Sequence, residues 1–272
     1  MTKNLDIDGF KSIIDNYDLF FVDLWGVVHN GIKLHQNAIK TLVKISEAKK
    51  NYILLTNAPR PNSTVKIFLE KMGMDKNIYD KVYTSGQAAL IYLRKNYLEK
   101  KFYHIGPPRD FDLFNEFKDK KKENINHSDY FLCTGLFDNH DQDLYYYKNL
   151  LNSFTSKKMI CTNPDLIVDR GNKREYCAGS VAMIFEKLGG EVVYFGKPYP
   201  EIYKQAIENK NKKILCIGDN LNTDIKGANL LNYDSLIVTS GIHKQEIIKQ
   251  GIEKISKKYE VLANFSQKEL KW

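Results

Sequence analysis

Short apolar runs of strand length alternate with amphipathic helical patterns along nearly the whole chain. The run "DLFFVDLWGVV" is apolar almost throughout, which is typical of a strand buried on both faces of a sheet. An apolar stripe at helical spacing predicts a helix over residues 35–50, and "NYILLTNAPR" follows as a strand that ends in a turn. Strands that alternate with helices form parallel sheets covered on both faces. We therefore predict an α/β fold with a Rossmann-like, doubly wound parallel sheet as its core.

The same pattern continues after "NYILLTNAPR". Asn62 or Ser63 can cap the next helix, because a short polar side chain there can accept a hydrogen bond from the first turn. Gly73 can end that helix, since glycine tolerates the left-handed conformation that often follows a last turn. "KVYTSG" is then predicted as a strand and residues 87–100 as a helix.

The sequence pattern of the middle of the chain differs from that of both ends, which predicts an inserted α/β domain. Pro107 and Pro108 follow a glycine in "KFYHIGPPRD" and indicate a crossing point. Beyond them we predict a lysine-rich helix, the strand "DYFLCTG", a tyrosine-rich helix over residues 144–154 and the strand "KMICTNPD". The last third, which begins with "EVVYFGKPYP", returns to the first pattern. We assign residues 1–100 and 191–272 to the two parts of the core, and residues 101–190 to the insertion.

Composition narrows the classes of partner and compartment. The net charge is +8 over 272 residues, but the lysines are spread along helical segments and no arginine cluster or nucleic-acid motif is present, so we expect no nucleic-acid partner. No apolar stretch is long enough for a membrane span, and the N-terminal region lacks the apolar core of a signal peptide. We expect a soluble, cytoplasmic protein with no membrane partner. The four cysteines show no C-x-x-C pairing, which favours buried, reduced thiols over disulfides or a zinc site.

Polar groups stand at the ends of several predicted strands. They are Asp23, the pair Thr56–Asn57, Lys197, and Asp219 with Asp224. Each alone has a structural explanation as a turn former, a helix cap or a surface lysine. Ligands of open α/β sheets bind beyond the carboxyl ends of the strands, so together these groups predict a shared site.

The chemistry that suits these groups is phosphoryl transfer. Asp23 can act as a nucleophile that forms an aspartyl-phosphate. Asp23 and Asp219 offer hard oxygen ligands for Mg²⁺, and Lys197 can neutralise the remaining charge between nucleophile and phosphate. The Thr56 hydroxyl and the Asn57 backbone N–H can bind the transferring oxygens.

The motifs around these residues resemble those of the haloacid dehalogenase (HAD) superfamily, and specifically its NagD-like class IIA phosphatases. The matching segments, in chain order, are "DLWGVVHNG", "LLTNAPR", "CTNPD", "CAGS", "FGKPYPEIY" and "IGDNLNTDIKGA". The resemblance spans nearly the whole chain. It implies that the insertion is a mobile cap that covers the site and selects the leaving group, and it suggests a homodimer formed through the cap.

The resemblance also implies a metal site for Mg²⁺. In the family, the residue that matches Asp23 is the nucleophile and a metal ligand, and the residue that matches Asp219 is a second metal ligand. The residue at Trp25 supplies a backbone carbonyl to the metal, and Asp224 supports the water shell of the metal.

The substrate-facing residues follow from the same resemblance. In the family, the residue at Thr56 binds the phosphate and the residue at Lys197 balances its charge; the Asn57 backbone N–H is expected beside them from the chemistry above. Asn163 and Asp165, in "CTNPD", would lie on a cap loop that faces the core and contacts the substrate, although turn formation alone also explains an "NPD" sequence.

The sequence departs from the family at Trp25, because most members carry there a second aspartate that protonates the leaving oxygen and later activates water. General acid–base catalysis is typically worth about 10²–10⁴ in rate, so its loss predicts slower or more selective chemistry. A good leaving group, a cap residue or His29 could compensate. We therefore predict a Mg²⁺-dependent hydrolase of a small phosphorylated metabolite, a sugar phosphate or nucleotide-like compound. The alternative is a catalytically impaired protein that binds a phosphorylated ligand as a sensor or scaffold.

Overall fold

The computed structural model describes residues 2–171, 173–207 and 212–272. Its strands, numbered in chain order, are β1 (Lys3–Asn4), β2 (Leu19–Val22), β3 (Asn51–Thr56), β4 (Val82–Thr84), β5 (Phe102–Ile105), β6 (Tyr130–Cys133), β7 (Lys158–Cys161), β8 (Ile167–Arg170), β9 (Lys173–Tyr176), β10 (Glu191–Tyr194), β11 (Ile214–Gly218), β12 (Asp234–Val238) and β13 (Phe265–Gln267).

Helices connect most of these strands. The α-helices are α1 (Gln36–Glu47), α2 (Asn62–Lys71), α3 (Lys76–Tyr79), α4 (Ser85–Asn96), α5 (Leu144–Leu151), α6 (Ala178–Lys187), α7 (Pro200–Ala206), α8 (Lys226–Leu230), α9 (Lys244–Gln250) and α10 (Ile252–Lys258). Short 3₁₀ segments cover Phe10–Asn16, Pro108–Lys120, Ile125–His127 and Asp138–His140, and a π-type turn covers Leu221–Ile225.

A parallel sheet, here called the large sheet, forms the core in the order β1-β13-β12-β11-β2-β3-β4 among the described residues. The chain winds outward through β3 and β4 on one side of β2 and through β11 to β13 on the other, so the strand order reverses between β2 and β11. This arrangement confirms the predicted doubly wound fold. All residues of β2 are buried: Phe20 and Val22 pack into the cluster on one face, and Leu19 and Phe21 into the cluster on the other.

A second parallel sheet, the small sheet, has the order β10-β7-β6-β5, and β8 pairs with β9 as an antiparallel hairpin. Strands β5 to β9 come from the middle of the chain, the segment that we assigned to an insertion. Strand β10 lies alongside β7, with Glu191 opposite Lys158, although we placed residues from 191 onward in the core. The chain therefore returns to the large sheet after Tyr194.

Two local predictions are wrong. The lysine-rich helix is instead the 3₁₀ segment Pro108–Lys120, which is interrupted at Phe114 and Phe117 because these rings turn inward to pack against Phe102. Asn62 does not cap α2, since Pro61 holds the N-cap position and the Asn62 side chain accepts a hydrogen bond from the backbone N–H of Thr84.

Other local predictions hold. Gly73 follows α2 with a φ of 84°, in the left-handed region that favours glycine. All four cysteines are free and buried, which confirms the prediction of buried thiols. Across the described part of the chain, no helix is long and apolar enough to cross a membrane.

Candidate active site

The site lies at the carboxyl edge of the large sheet, where the strand order reverses. Asp23 follows β2 and Asp219 follows β11, and the backbone N–H of Asp23 donates to Ile217 O at 2.8 Å, which extends the ladder between these neighbouring strands. Gly26 turns the chain beside them with a φ of 86°, and a Cβ atom there would overlap the Asp219 carboxylate. The fold therefore places the two carboxylates on either side of the switch point.

Lys197 is the cation at the centre of this cluster. Its Nζ donates to Asp23 Oδ1 at 2.5 Å and to Asp224 Oδ1 at 2.7 Å. Lys197 is only 4% exposed, and Asp23, Asp219 and Asp224 are 7%, 6% and 3% exposed. A buried ion pair of this kind requires every charged group to have a partner.

Lys197 reaches the cluster by a route that the sequence argument did not predict. We treated it as a strand-end residue of the core, but β10 belongs to the small sheet, so Lys197 stands on the connection between the two sheets. Asn57 fixes this connection, because its side chain accepts from Lys197 N at 2.7 Å and donates to Lys197 O at 3.0 Å.

Three carboxylates could hold a metal ion. Ligand atoms of Asp23, Asp219 and Asp224 lie within 4.8 Å of one another. With one lysine among them, the cluster carries excess negative charge, and its donors are all hard oxygens. Such a donor set suits Mg²⁺, which prefers carboxylates, water and phosphate oxygens.

Burial and the interactions among these charges shift the pKa values of Asp23, Asp219 and Lys197. Burial raises the pKa of Asp23 well above its usual range, Lys197 opposes that shift, and Asp224 and Asp219 add to it. Burial and then the charge of Asp224 raise the pKa of Asp219 to about 8. Burial lowers the pKa of Lys197, but Asp224 and Asp23 outweigh burial and raise it above its ordinary value. The lysine is therefore charged at all physiological pH values.

The two residues at the end of β3 face the same space. Thr56 is the last residue of β3, and its Oγ1 accepts from the backbone N–H of Ala58 at 3.3 Å. Asn57 uses its side chain to hold Lys197, as described above, and also donates to Asp165 Oδ1 at 3.2 Å. One side chain thus joins the large sheet to the loop that follows β7.

That loop carries Asn163 and Asp165. Asn163 makes the turn that its sequence suggested, because its Oδ1 accepts from Asp165 N at 3.0 Å. The N-terminus of α6 supports the loop from behind: Gly179 N donates to Asp165 O at 3.1 Å, and a Cβ atom at Gly179 would overlap Pro164 O. Burial raises the pKa of Asp165 to about 6, against the opposing charge of Lys197.

The Trp25 side chain has no acid–base group, and it contacts the β8–β9 hairpin. Its indole N–H donates to Asp169 O at 2.8 Å. Sequence reasoning did not identify this hairpin, although "IVDRGNKREY" has the glycine-containing turn between β-prone residues that is typical of one. His29 packs edge-on against the Trp25 ring and accepts from Gly31 N at 3.0 Å, and burial lowers its pKa to about 4. The neutral His29 ring therefore closes the turn.

A cavity of about 1130 Å³ connects these groups. The β8–β9 hairpin forms part of its lining. The lining also includes every site residue predicted from the sequence, namely Asp23, Trp25, Thr56, Asn57, Asn163, Asp165, Lys197, Asp219 and Asp224. This volume exceeds what inorganic phosphate requires and leaves room for a metabolite-sized group.

Known families match this chain at both ends. A family model for haloacid dehalogenase-like hydrolases matches residues 20–118, and a second, HAD-hydrolase-like model matches residues 194–267. A crystal structure of a haloacid dehalogenase-like family hydrolase from Brucella suis 1330 is 30% identical, with a TM-score of 0.84, and the match covers 96% of this chain and 98% of that chain.

Curated relatives match over similar lengths. Phosphoglycolate phosphatase 2 of Arabidopsis thaliana is 24% identical, over 94% of this chain and 93% of the relative. Ribonucleotide monophosphatase NagD of Escherichia coli K12 is 26% identical, over 78% of this chain and 86% of the relative.

Proposed function

Because the chain belongs to the haloacid dehalogenase-like hydrolase family, in its NagD-like class IIA group, we propose that it is a Mg²⁺-dependent phosphatase. Its substrate is a small phosphorylated metabolite, a sugar phosphate or a nucleotide-like compound, and the reaction passes through an aspartyl-phosphate on Asp23. The observation that carries this proposal is the buried cluster of Asp23, Asp219 and Asp224 around Lys197. A protein that only binds a phosphorylated ligand has no need of a buried carboxylate held beside a lysine.

Asp23 is the nucleophile in this scheme. Lys197 donates to Oδ1, so Oδ2 is the oxygen that attacks phosphorus while the bond to the leaving oxygen breaks. The Thr56 hydroxyl and the Asn57 backbone N–H bind the equatorial oxygens of the transferring group. Asp23, Asp219 and Asp224, with the Trp25 carbonyl, would hold Mg²⁺, which neutralises phosphate charge when bound.

Trp25 stands where most family members have the aspartate that transfers protons. We propose that Asp165 takes over this role. It lines the cavity and is tied by Asn57 to the phosphate-binding end of β3. Its raised pKa, about 6, allows it to be protonated when the leaving oxygen departs and ionised when water attacks the aspartyl-phosphate. In the first step the Asp165 proton passes to the leaving oxygen, and in the second the resulting carboxylate takes a proton from water.

A metabolite phosphatase screen with Mg²⁺ tests the proposed function. The wild-type protein should release phosphate from at least one sugar phosphate or nucleotide, and Asp23→Asn should abolish release. The exposed Asp15→Asn is the matched control and should keep the wild-type rate. If calorimetry finds tight binding of a phosphorylated metabolite without turnover, the sensor or scaffold alternative replaces the phosphatase.

Substrates with different leaving groups test Asp165. Asp165→Asn should slow the hydrolysis of an alkyl phosphate by about 10²–10⁴, because its leaving oxygen needs a proton. Formation of the aspartyl-phosphate from 4-nitrophenyl phosphate should change much less, since nitrophenolate leaves without one. Equal losses in the rate of aspartyl-phosphate formation from the two substrates would contradict the role of Asp165 as the general acid.

The homodimer suggested by the resemblance remains a prediction. Size-exclusion chromatography with light scattering tests it directly.

A further inference from the structure

The β2–α1 loop (residues 23–35) and the β8–β9 hairpin contact each other through backbone and side-chain hydrogen bonds. The Trp25 indole N–H donates to Asp169 O at 2.8 Å, and Gly171 N donates to Asn30 O at 3.3 Å. These residues lie more than a hundred positions apart in sequence, so both bonds depend on how the hairpin sits on the large sheet.

Ion pairs within the hairpin orient the groups that contact Trp25. Arg174 donates to both Asp169 carboxylate oxygens, at 2.8 and 2.9 Å, which fixes the residue whose carbonyl accepts the indole. The Arg170 guanidinium lies 5.1 Å from the Trp25 ring centre, and Glu175 orients it by a bond of 3.2 Å. A cation over an indole face adds an attraction that needs no polar group on the tryptophan.

The β2–α1 loop is shaped to receive the ring. Gly31 has a φ of 82°, and a Cβ atom there would lie 2.5 Å from Trp25 Cζ2. His29 packs edge-on against the indole with ring centres 5.2 Å apart. The partly buried indole therefore lies between His29 and Gly31 on the core side and Asp169 and Arg170 on the hairpin side.

We propose that Trp25 is a positioning residue that anchors the β8–β9 hairpin over the site and so forms one wall of the leaving-group cavity. This inference rests on the proposed function, since the cavity is assigned to the leaving group. The hairpin begins two residues after Asp165, but Asp165 is held separately, by Asn57 and by the backbone N–H of Gly179. Where most family members have an aspartate that transfers protons, Trp25 instead helps to determine which metabolites fit beneath the hairpin.

Hydrogen exchange of the hairpin amides tests the anchor without any turnover. Trp25→Phe keeps an aromatic ring but loses the indole N–H, and should speed exchange of the β8–β9 amides by about two- to tenfold, the effect of one net hydrogen bond. Trp272→Phe is the matched control, because Trp272 packs against Phe10, and should leave hairpin exchange unchanged. Circular dichroism confirms that each variant is folded.

Binding and kinetics complete the test. With Mg²⁺, Trp25→Phe should bind inorganic phosphate within about twofold of wild type, since Thr56, Asn57 and Lys197 are untouched. Its KM for the metabolite found in the screen should rise, with a smaller change in kcat. Unchanged hairpin exchange in Trp25→Phe, or an equal loss of phosphate and metabolite affinity, would overturn the anchor. Because exchange and phosphate binding need no catalysis, failure of the phosphatase proposal would be recognised separately.

Discussion

Replacement of Lys197 by methionine tests whether this lysine is the electrostatic centre of the site. Methionine keeps most of the volume of the side chain but carries no charge, so the buried carboxylates of Asp23 and Asp224 lose their cation. Two unit charges 4.8 Å apart, the outer limit for ligand atoms of the acidic triad, repel by about 3.5 kcal/mol at an effective dielectric constant of about 20. Removal of one partner from a buried ion pair typically costs about 3–5 kcal/mol.

The expected loss depends on pH in a defined direction. At pH 8 the free energy of unfolding of Lys197→Met should fall by about 3–5 kcal/mol relative to wild type. At pH 5 the loss should shrink or reverse, because burial raises the pKa of Asp219 to about 8 and moves the pKa of Asp23 in the same direction, which makes the folded cluster less negative. Neutral carboxyls gain little from a lysine, and a buried lysine without ionised partners is itself costly.

Urea unfolding at both pH values, in a chelator and then in Mg²⁺, measures these differences. Mg²⁺ should recover part of the loss at pH 8, since it supplies positive charge to the same carboxylates. Lys204→Met is the matched control, because Lys204 pairs with Glu201 on the surface and its loss should cost less than about 1 kcal/mol. A Lys197→Met protein that is as stable as the control at pH 8 would refute the electrostatic argument.

Two further predictions concern Trp25 and a buried histidine. Trp25→Asp should lower kcat/KM for the screened metabolite in a phosphate-release assay. A carboxylate cannot reach Asp169 O as the indole does, and it adds negative charge beside Asp23 and Asp219. A gain in kcat/KM would mean that the missing acid–base group limits turnover more than the hairpin contact does. Burial lowers the pKa of His104 to about 3. Below about pH 6.5, the usual pKa of histidine, the unfolded chain therefore binds a proton that the folded protein does not bind. The free energy of unfolding then falls by about 1.4 kcal/mol for each pH unit of acidification. His104→Gln, which can still bond Thr134, should therefore lose about 2 kcal/mol less than wild type between pH 6.5 and 5 in urea titrations, and an unchanged pH slope would contradict this cause.

The sequence predicts well what depends on strand periodicity. Asp23 and Asp219 follow near-continuous apolar runs, and parallel strands that are buried on both faces must end at one edge of the sheet. The doubly wound parallel sheet follows from the same alternation of strands and helices.

Features that depend on contacts between distant segments were not predictable in this way. Strand β10 has the composition of a core strand, and only its pairing with β7 places it in the small sheet and Lys197 on the connection. Phe114 and Phe117 break a helical pattern because Phe102 offers them a buried site. The partner of Trp25 is a backbone carbonyl, which has no sequence signature at all.

The central claim is that Asp23 accepts the phosphoryl group. Mass spectrometry after rapid acid quench of the protein with its screened substrate and Mg²⁺ measures this directly. We predict a phosphoryl group on the peptide that contains Asp23 in the wild-type protein and none in Asp23→Asn. With 4-nitrophenyl phosphate, whose leaving group needs no proton, Asp165→Asn should accumulate a larger amount of it because only water attack is slowed. Phosphate release at the wild-type rate by Asp23→Asn, with no phosphorylated peptide in either protein, would contradict the account.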